Sequence, residues 1–401
     1  MDNIRIGSKN LIKNINKSLV INEIRQKGPI SRTEISNKLK LGLSTVTKIC
    51  EQLQNEDLIY EIGEGDSTGG RKPINLVFNN RYGYIIGIKI ENQKVITSLT
   101  DLEPSILHKE TSNFPRKASF DIVYDLVVAG IDRLLKKVKT QRGQVLGIGI
   151  AISGIINHLK GELVSSTLLG WRNIDFKNTL EQRYGINVYL DNDVNCYTLA
   201  QNGLGKGKDN NDFVCVTIGE GIGAGVIINN RLYRGFLGGA GEIGHMIINA
   251  NGKECYCGQQ GCLETCASED FIVEYVKDKS GQGYDIEEII SRAYDNDQSC
   301  IEAISIAGRN IGYGLINVIM HYNPEKIILG GKGLKEKDFI VPHILETLNN
   351  NWFKRIGVET GLEIDDLGNK YFLLGASILV LSELLEIPIY KEQETLLDSM
   401  V

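Results

Sequence analysis

Apolar positions in the first fifty or so residues recur at helical spacing, in three short segments separated by turn residues. From Asn10 to Arg25, Leu11, Ile12, Ile15, Leu19 and Ile24 approximate one stripe of a helix, which Gly28-Pro29 ends. Ser31 and Glu34 have capping-box spacing, and Ile30 with Ile35 can form a hydrophobic staple, so a second helix is predicted to about Leu39. Lys40 to Leu43 reads as a turn and Ser44 as the cap of a third helix, with Val46, Ile49, Cys50 and Leu53 at i, i+3, i+4 and i+7. Two short helices across a Gly-containing turn make a helix-turn-helix. Leu58 to Ile62 then reads as a strand, Gly63 to Gly70 as a polar turn, and Arg71 to Val77 as a returning strand, a wing with Arg71 and Lys72 near its tip.

Beyond about residue 81 the pattern changes to apolar strands alternating with helical stripes. Tyr84–Ile90 with Val95–Leu99, and Phe213–Ile218 with Gly225–Ile228, read as two long hairpins that each open an α/β unit. Further strands are expected at Val145–Ile152, Val188–Leu190 and Lys326–Leu329, and helices at Phe120–Lys137, Val194–Gln201, Ser268–Lys277, Asp285–Tyr294 and Cys300–Tyr322. The doubled opening predicts two α/β domains facing a cleft, a usual place for a small ligand. The expected division is a winged helix-turn-helix at 1–80, a first α/β domain at 81–200, and a second at 201–401 whose C-terminal helix can return to the first.

Charge sharpens this division. Over all 401 residues the net charge is -6, yet residues 1–54 hold ten Lys and Arg against four Asp and Glu, about +6, leaving the remainder near -12. A basic head on an acidic body predicts that only the head meets a polyanion. On the third helix Ser44, Thr45, Thr47 and Lys48 are the candidate contacts to base edges and phosphates of operator DNA, and Arg71 and Lys72 can enter the minor groove. No apolar run reaches the roughly 18 residues of a membrane helix, and Met1 to Asn10 lacks a signal core, so a cytoplasmic protein without a membrane partner is expected.

The candidate chemistry lies within residues 217–264. Gly219 to Gly225 is glycine-rich but runs into a strand, against a dinucleotide fingerprint. His245 is followed by Cys255, Cys257 and Cys262, with Gly258 and Gly261 turning the loop between thiolates. One imidazole and three thiolates fit one closed, structural Zn2+ site per chain. Cys50, Cys196, Cys215 and Cys300 stand in apolar contexts and read as core, and Cys266 as helix core rather than a fifth ligand.

The Gly-rich hairpin, Gly241-Glu242-Ile243-Gly244-His245 and Cys255-Tyr256-Cys257-Gly258 through Cys262-Leu263-Glu264 together resemble the ROK family of bacterial sugar kinases and sugar-responsive repressors, over about residues 83–385. The winged helix in front resembles its repressor branch, of the xylose-repressor type. The resemblance implies a two-domain actin-like (ribonuclease H-like) fold with a zinc loop, and sugar contacts at Asn192, Asp193, Glu242, His245 and Glu264. Trp171 is expected either to cover the sugar's apolar face or simply to pack. The kinase branch carries Asp-x-Gly-Gly-Thr for ATP phosphates, where this chain has Lys89-Ile90-Glu91-Asn92-Gln93, and Glu220 stands where a small hydroxyl residue is usual. The expected function is therefore a homodimeric (alternatively tetrameric), non-enzymatic repressor of carbohydrate-utilisation genes. It would bind operator DNA through its head and a free aldose, xylose-like or glucose-like, in its cleft. The alternatives are an ATP-dependent sugar kinase and a repressor that senses a phosphorylated sugar.

Overall fold

A computed structural model describes residues 9–64, 73–140, 144–334, 337–365 and 370–385. Its head contains α1 (Lys9–Lys27), β1 (Ile30–Ser31), α2 (Arg32–Leu39), α3 (Leu43–Asn55), β2 (Ile59–Glu64) and β3 (Ile74–Phe78). Ser31 and Glu34 form the expected capping box at the start of α2. Val46, Ile49, Cys50 and Leu53 of α3 are buried with Val20, Ile24, Ile35 and Leu76 in one small core. Ser44 is not the cap of α3. Lys40 takes the left-handed conformation and ends α2 so tightly that the N-cap falls on Gly42, without a side-chain bond, and Ser44 lies inside the first turn. The wing gains a strand that periodicity did not reveal, because two-residue β1 pairs with β3 in the order β1-β3-β2.

The first lobe runs through β4 (Tyr84–Glu91), β5 (Lys94–Thr100), β6 (Ile106–Asn113), α4 (Phe120–Thr140), β7 (Val145–Ile152), β8 (Ile155–Asn157), β9 (Glu162–Ser166), β10 (Trp171–Asp175), α5 (Phe176–Tyr184), β11 (Val188–Asn192) and α6 (Asp193–Leu204). The second contains β12 (Phe213–Ile218), β13 (Ile222–Ile228), β14 (Arg231–Tyr233), α7 (Glu269–Ser280), α8 (Ile286–Tyr294), α9 (Gln298–Tyr322), β15 (Lys326–Gly330), α10 (Lys337–Leu348), α11 (Trp352–Arg355), β16 (Gly361–Ile364) and α12 (Lys370–Leu384). The two five-stranded sheets have the same topology, β6-β5-β4-β7-β11 and β14-β13-β12-β15-β16: an antiparallel meander followed by two parallel strands. The doubled hairpin is thus a doubled actin-like domain. The His/Cys loop is inserted between the second meander and α7.

The helix α12 returns to the first lobe and packs on β4, β7 and α6. Its approach is close because the facing positions lack side chains: a Cβ on Gly149 would lie 1.8 Å from the Ala376 carbonyl oxygen, and one on Gly375 2.0 Å from that of Cys196. Cys50, Cys196, Cys215 and Cys300 are fully buried, as core residues should be.

Head and body are joined without slack. Between β3 and β4, Asn79 donates from its backbone to Leu58 O and from Nδ2 to Asp57 O. Asn80 accepts at its carbonyl from Leu102 N and donates from Nδ2 to Glu103 Oε2. Asn22 of α1 donates to the carbonyl of Leu385, and Phe78 and Leu385 pack against both the head core and the Ile85–Val380–Leu381 cluster of the body. No helix among the described residues is long and apolar enough to cross a membrane.

Candidate ligand cleft and metal centre

At the end of parallel strand β11 the chain turns into α6, and Asn192 caps that helix: its Oδ1 accepts from Val194 N at 2.8 Å and Asn195 N at 3.4 Å. Its Nδ2 donates to Gly154 O at 2.9 Å. The cap fixes the next residue, Asp193, facing a cavity of about 1250 Å³ between the lobes. Strand ends of this kind are where open α/β sheets bind ligands. Burial lifts the Asp193 carboxyl above the usual range, against the pull of nearby Lys89.

Just before it, Asp191 is 2% exposed and binds Arg234 of the second lobe, with Nε to Oδ2 at 2.7 Å. Its Oδ1 accepts from Asn192 N and Asn195 Nδ2. Burial alone would lower the pKa of Arg234, but Asp191 outweighs that and holds the guanidinium protonated. An inter-lobe ion pair thus lies directly beneath Asn192 and Asp193.

The facing wall comes from the loop after β14. Glu242, which precedes a 3₁₀ turn (Ile243–His245), His245, which ends it, and Glu264, in a second such turn (Leu263–Cys266), line the same cavity as Asn192 and Asp193. Glu264 Oε2 is held by Ile222 N at 3.0 Å. Burial raises the Glu242 carboxyl; His245 opposes the rise, while Glu264 and Asp193 add to it. Three carboxylates, an amide and an imidazole converge, an acceptor-rich wall suited to paired hydroxyl donors.

The ligand atoms of His245, Cys255, Cys257 and Cys262 lie within 4.8 Å of one another and can hold a metal ion. His245 Nδ1 faces Cys255 Sγ at 3.6 Å, and Cys257 Sγ is 3.6 Å from Cys262 Sγ. Cys266 lies outside this group, its thiol directed to the carbonyls of Cys262 and Leu263. The other imidazole nitrogen, Nε2, meets the hydroxyl of Tyr256 at 3.2 Å, with the two rings edge-to-face. Sequence reasoning did not single out Tyr256; its only signal was an aromatic residue between two candidate ligands. Trp171 lines the cleft but is 6% exposed, and its Nε1 donates to Ala118 O, so packing dominates its role.

In the same cleft, within electrostatic reach of Asp193, Lys89 is buried under the Phe372 ring at 3.9 Å and paired with Glu91 at 2.8 Å. Glu91 Oε2 also accepts from Lys332 of the second lobe at 3.3 Å, and Asn92 Nδ2 donates to Glu220 Oε2 at 3.3 Å. Arg116 and Lys117 line the rim.

On the head, Ser44, Thr45 and Lys48 are exposed along the start of α3. Thr47 is half-buried and donates to Leu43 O. Arg71 and Lys72 lie outside the described residues.

The ROK family profile matches residues 85–383, and a winged helix-turn-helix DNA-binding profile matches residues 13–60. The xylose repressor of Bacillus spizizenii is 33% identical over 95% of this chain and 99% of its own length. The N-acetylglucosamine repressor of Escherichia coli O157:H7 is 29% identical over 87% of this chain and 88% of its own. A crystal structure of a ROK family transcriptional regulator, a homologue of the E. coli MLC protein, superposes with a TM-score of 0.83 at 26% identity, covering 95% of this chain and 99% of that one. A ROK family glucokinase from Streptomyces griseus, in complex with glucose and AMPPNP, superposes with a TM-score of 0.63 at 26% identity, covering 74% of this chain and 99% of that one.

Proposed function

The chain belongs to the ROK family, and on that premise we propose that it is a transcriptional repressor that binds operator DNA through α3 and the wing and releases it when a free aldose, xylose first among candidates, enters the cleft. One observation carries the reading: a DNA-binding head is fastened by hydrogen bonds at Asn79, Asn80 and Asn22 to a lobe whose cleft presents a hydroxyl-binding wall. Asn192, Asp193, Glu242, His245 and Glu264 are the proposed sugar contacts, and Ser44, Thr45, Thr47, Lys48, Arg71 and Lys72 the proposed DNA contacts. A homodimer would set two copies of α3 on successive half-sites in the cytoplasm, where the operator is. Any ligand that favours the DNA-incompetent arrangement then relieves repression. The test is a mobility-shift titration of the full chain on DNA from its own promoter, with and without D-xylose. Lower DNA affinity with the sugar supports the reading; unchanged affinity for this and a panel of aldoses refutes it.

Zinc is the proposed ion of the metal site. Tetrahedral coordination with Zn–S near ~2.3 Å and Zn–N near ~2.0 Å implies ligand separations of about 3.5–3.8 Å. The observed 3.6 Å pairs agree. When bound, zinc would fasten the loop and fix the His245 tautomer, leaving Nε2–H to point to Tyr256 and the cleft. Full chelation should therefore weaken the sugar response while the head still binds DNA.

The cleft also bears on the two competing readings. Glu91 pairs there with both Lys89 and Lys332, and Glu220 accepts from the Asn92 amide. An incoming phosphate would have to displace Glu91, which favours an uncharged sugar and a regulator over a kinase, since phosphoryl transfer depends on charge stabilisation around the phosphates. Arg116 and Lys117 on the rim are what a phosphorylated sugar could use. Tighter binding of xylose 5-phosphate than of xylose would favour that reading, and ATP turnover with a free sugar would favour the kinase.

A further inference from the structure

The two hairpin turns that open the lobes, β4–β5 and β12–β13, occupy equivalent places in the duplicated topology and face each other across the cleft. Side chains join them there. Glu91 reaches across from the last position of β4 to Lys332, which follows β15 in the second lobe, and Asn92 reaches across to Glu220 in the β12–β13 turn. Glu91 is the centre of this group: its side chain is 10% exposed and holds one lysine from each lobe, Lys89 at 2.8 Å and Lys332 at 3.3 Å. Lys89 is itself fixed by the Phe372 ring of α12. Although burial raises the carboxyl, Lys89 and then Lys332 more than offset it and hold it below the usual carboxylate range, so Glu91 is an anion at neutral pH.

We propose that Glu91 is a positioning residue: with Lys332 and the Asn92–Glu220 pair it forms a clasp across the cleft that draws the lobes together and thereby sets the affinity for the effector. The affinity half of this statement rests on the sugar-binding reading above; the lobe-closing half does not. The clasp does with protein side chains what a ligand spanning both lobes would do, so closure is partly prepaid before a sugar arrives. Its outer member, Lys332, is half-exposed, which makes the clasp sensitive to ionic strength.

The test uses the full chain as wild type, Glu91→Gln, Lys332→Met and the double variant. Small-angle X-ray scattering without sugar reads lobe separation, and calorimetric titration with D-xylose at low and high NaCl reads affinity. Each single variant is expected to widen the lobes and to weaken xylose binding by roughly three- to tenfold. The double variant should be no worse than Glu91→Gln alone, because Lys332→Met then removes a link that is already broken. High salt should weaken the wild type towards the variants and leave the variants little changed. Should Glu91→Gln fold poorly, Lys332→Met, altered at a half-exposed side chain, decides alone. Unchanged lobe separation, or wider lobes with xylose affinity within about twofold of wild type, overturns the proposal, as does an additive double variant. If the wild type itself binds no aldose, the sugar reading fails while the scattering still decides whether the clasp holds the lobes.

Discussion

Replacing Arg234 with methionine removes the guanidinium that crosses from the second lobe to Asp191 and leaves most of the side-chain volume in place. The carboxylate left behind is 2% exposed and keeps two donors, Asn192 N at 2.8 Å and Asn195 Nδ2 at 2.9 Å. Stranding a buried charge typically costs about 3–5 kcal/mol, and the two remaining donors place Arg234→Met near the lower end, about 3 kcal/mol. Asp191→Asn combined with Arg234→Met strands no charge, so the double variant should recover about 1–2 kcal/mol relative to the single. Urea unfolding followed by tryptophan fluorescence suits the question. The chain has two tryptophans, of which Trp171 is buried in the lobe that carries Asp191 and Trp352 is 58% exposed. Transition midpoints at constant slope are the quantity to compare, because a chain of several domains need not unfold in one step. Asn192 and Asp193 follow Asp191 directly, so weaker sugar binding should accompany the loss. A single variant within about 1 kcal/mol of wild type, or a double variant no more stable than the single, would refute the claim that this pair pins the lobes.

Further outcomes follow from other parts of the molecule. Burial first, and Arg234 second, push the His158 imidazole down to about 4 from its ordinary 6.5, with Asp191 opposing. The unfolded chain therefore takes up this proton before the folded one does. The associated stability is complete above pH 6.5 and is lost as pH falls towards 4; it amounts to at most about 3 kcal/mol, less where solvent reaches the ring. His158→Gln should flatten the dependence of the unfolding midpoint in that window. Gly149→Ala should cost about 3 kcal/mol or more, seen as a lower melting temperature, because the new methyl meets the Ala376 carbonyl and not a movable side chain. Tyr256→Phe removes the hydroxyl partner of His245 Nε2 and should change sugar affinity by roughly three- to tenfold in calorimetry without loss of metal; an unchanged affinity would remove Tyr256 from the site. Lys48→Ala should lower the salt slope of operator binding by about one, measured by titration at several NaCl concentrations.

What the sequence revealed and what it hid follow from the range of the interactions. The head helices were readable because each buries one stripe, as Val46, Ile49, Cys50 and Leu53 do. The ligand cluster was readable because three of its four members lie within eight residues. A C-terminal helix returning to the first lobe was expected, but α12 is buried along nearly its whole length, from Tyr371 to Leu381, so no periodicity marked its bounds. Strand β6 alternates only between exposed and half-buried positions and carried too little apolar signal. The link from Glu91 to Lys332 joins residues 241 apart. The loss of a phosphate motif was visible locally, but nothing local pointed to the lysine that answers Glu91. Ser44 misled because a capping residue and a second-position residue differ only by how tightly the preceding turn closes.

The fastened junction between head and body bears on how such a protein can change its target. Phe78 and Leu385 belong to two cores at once, and the Asn79–Asn80 crossing is bonded on both sides. Head and body are therefore not interchangeable cassettes. A transplanted head without the contacts to Leu385, the Asn22 amide among them, should bind its own operator yet respond poorly to the sugar. New operator specificity is more readily reached by altering the exposed start of α3, which touches neither core, so the address can drift while the wiring behind it stays intact.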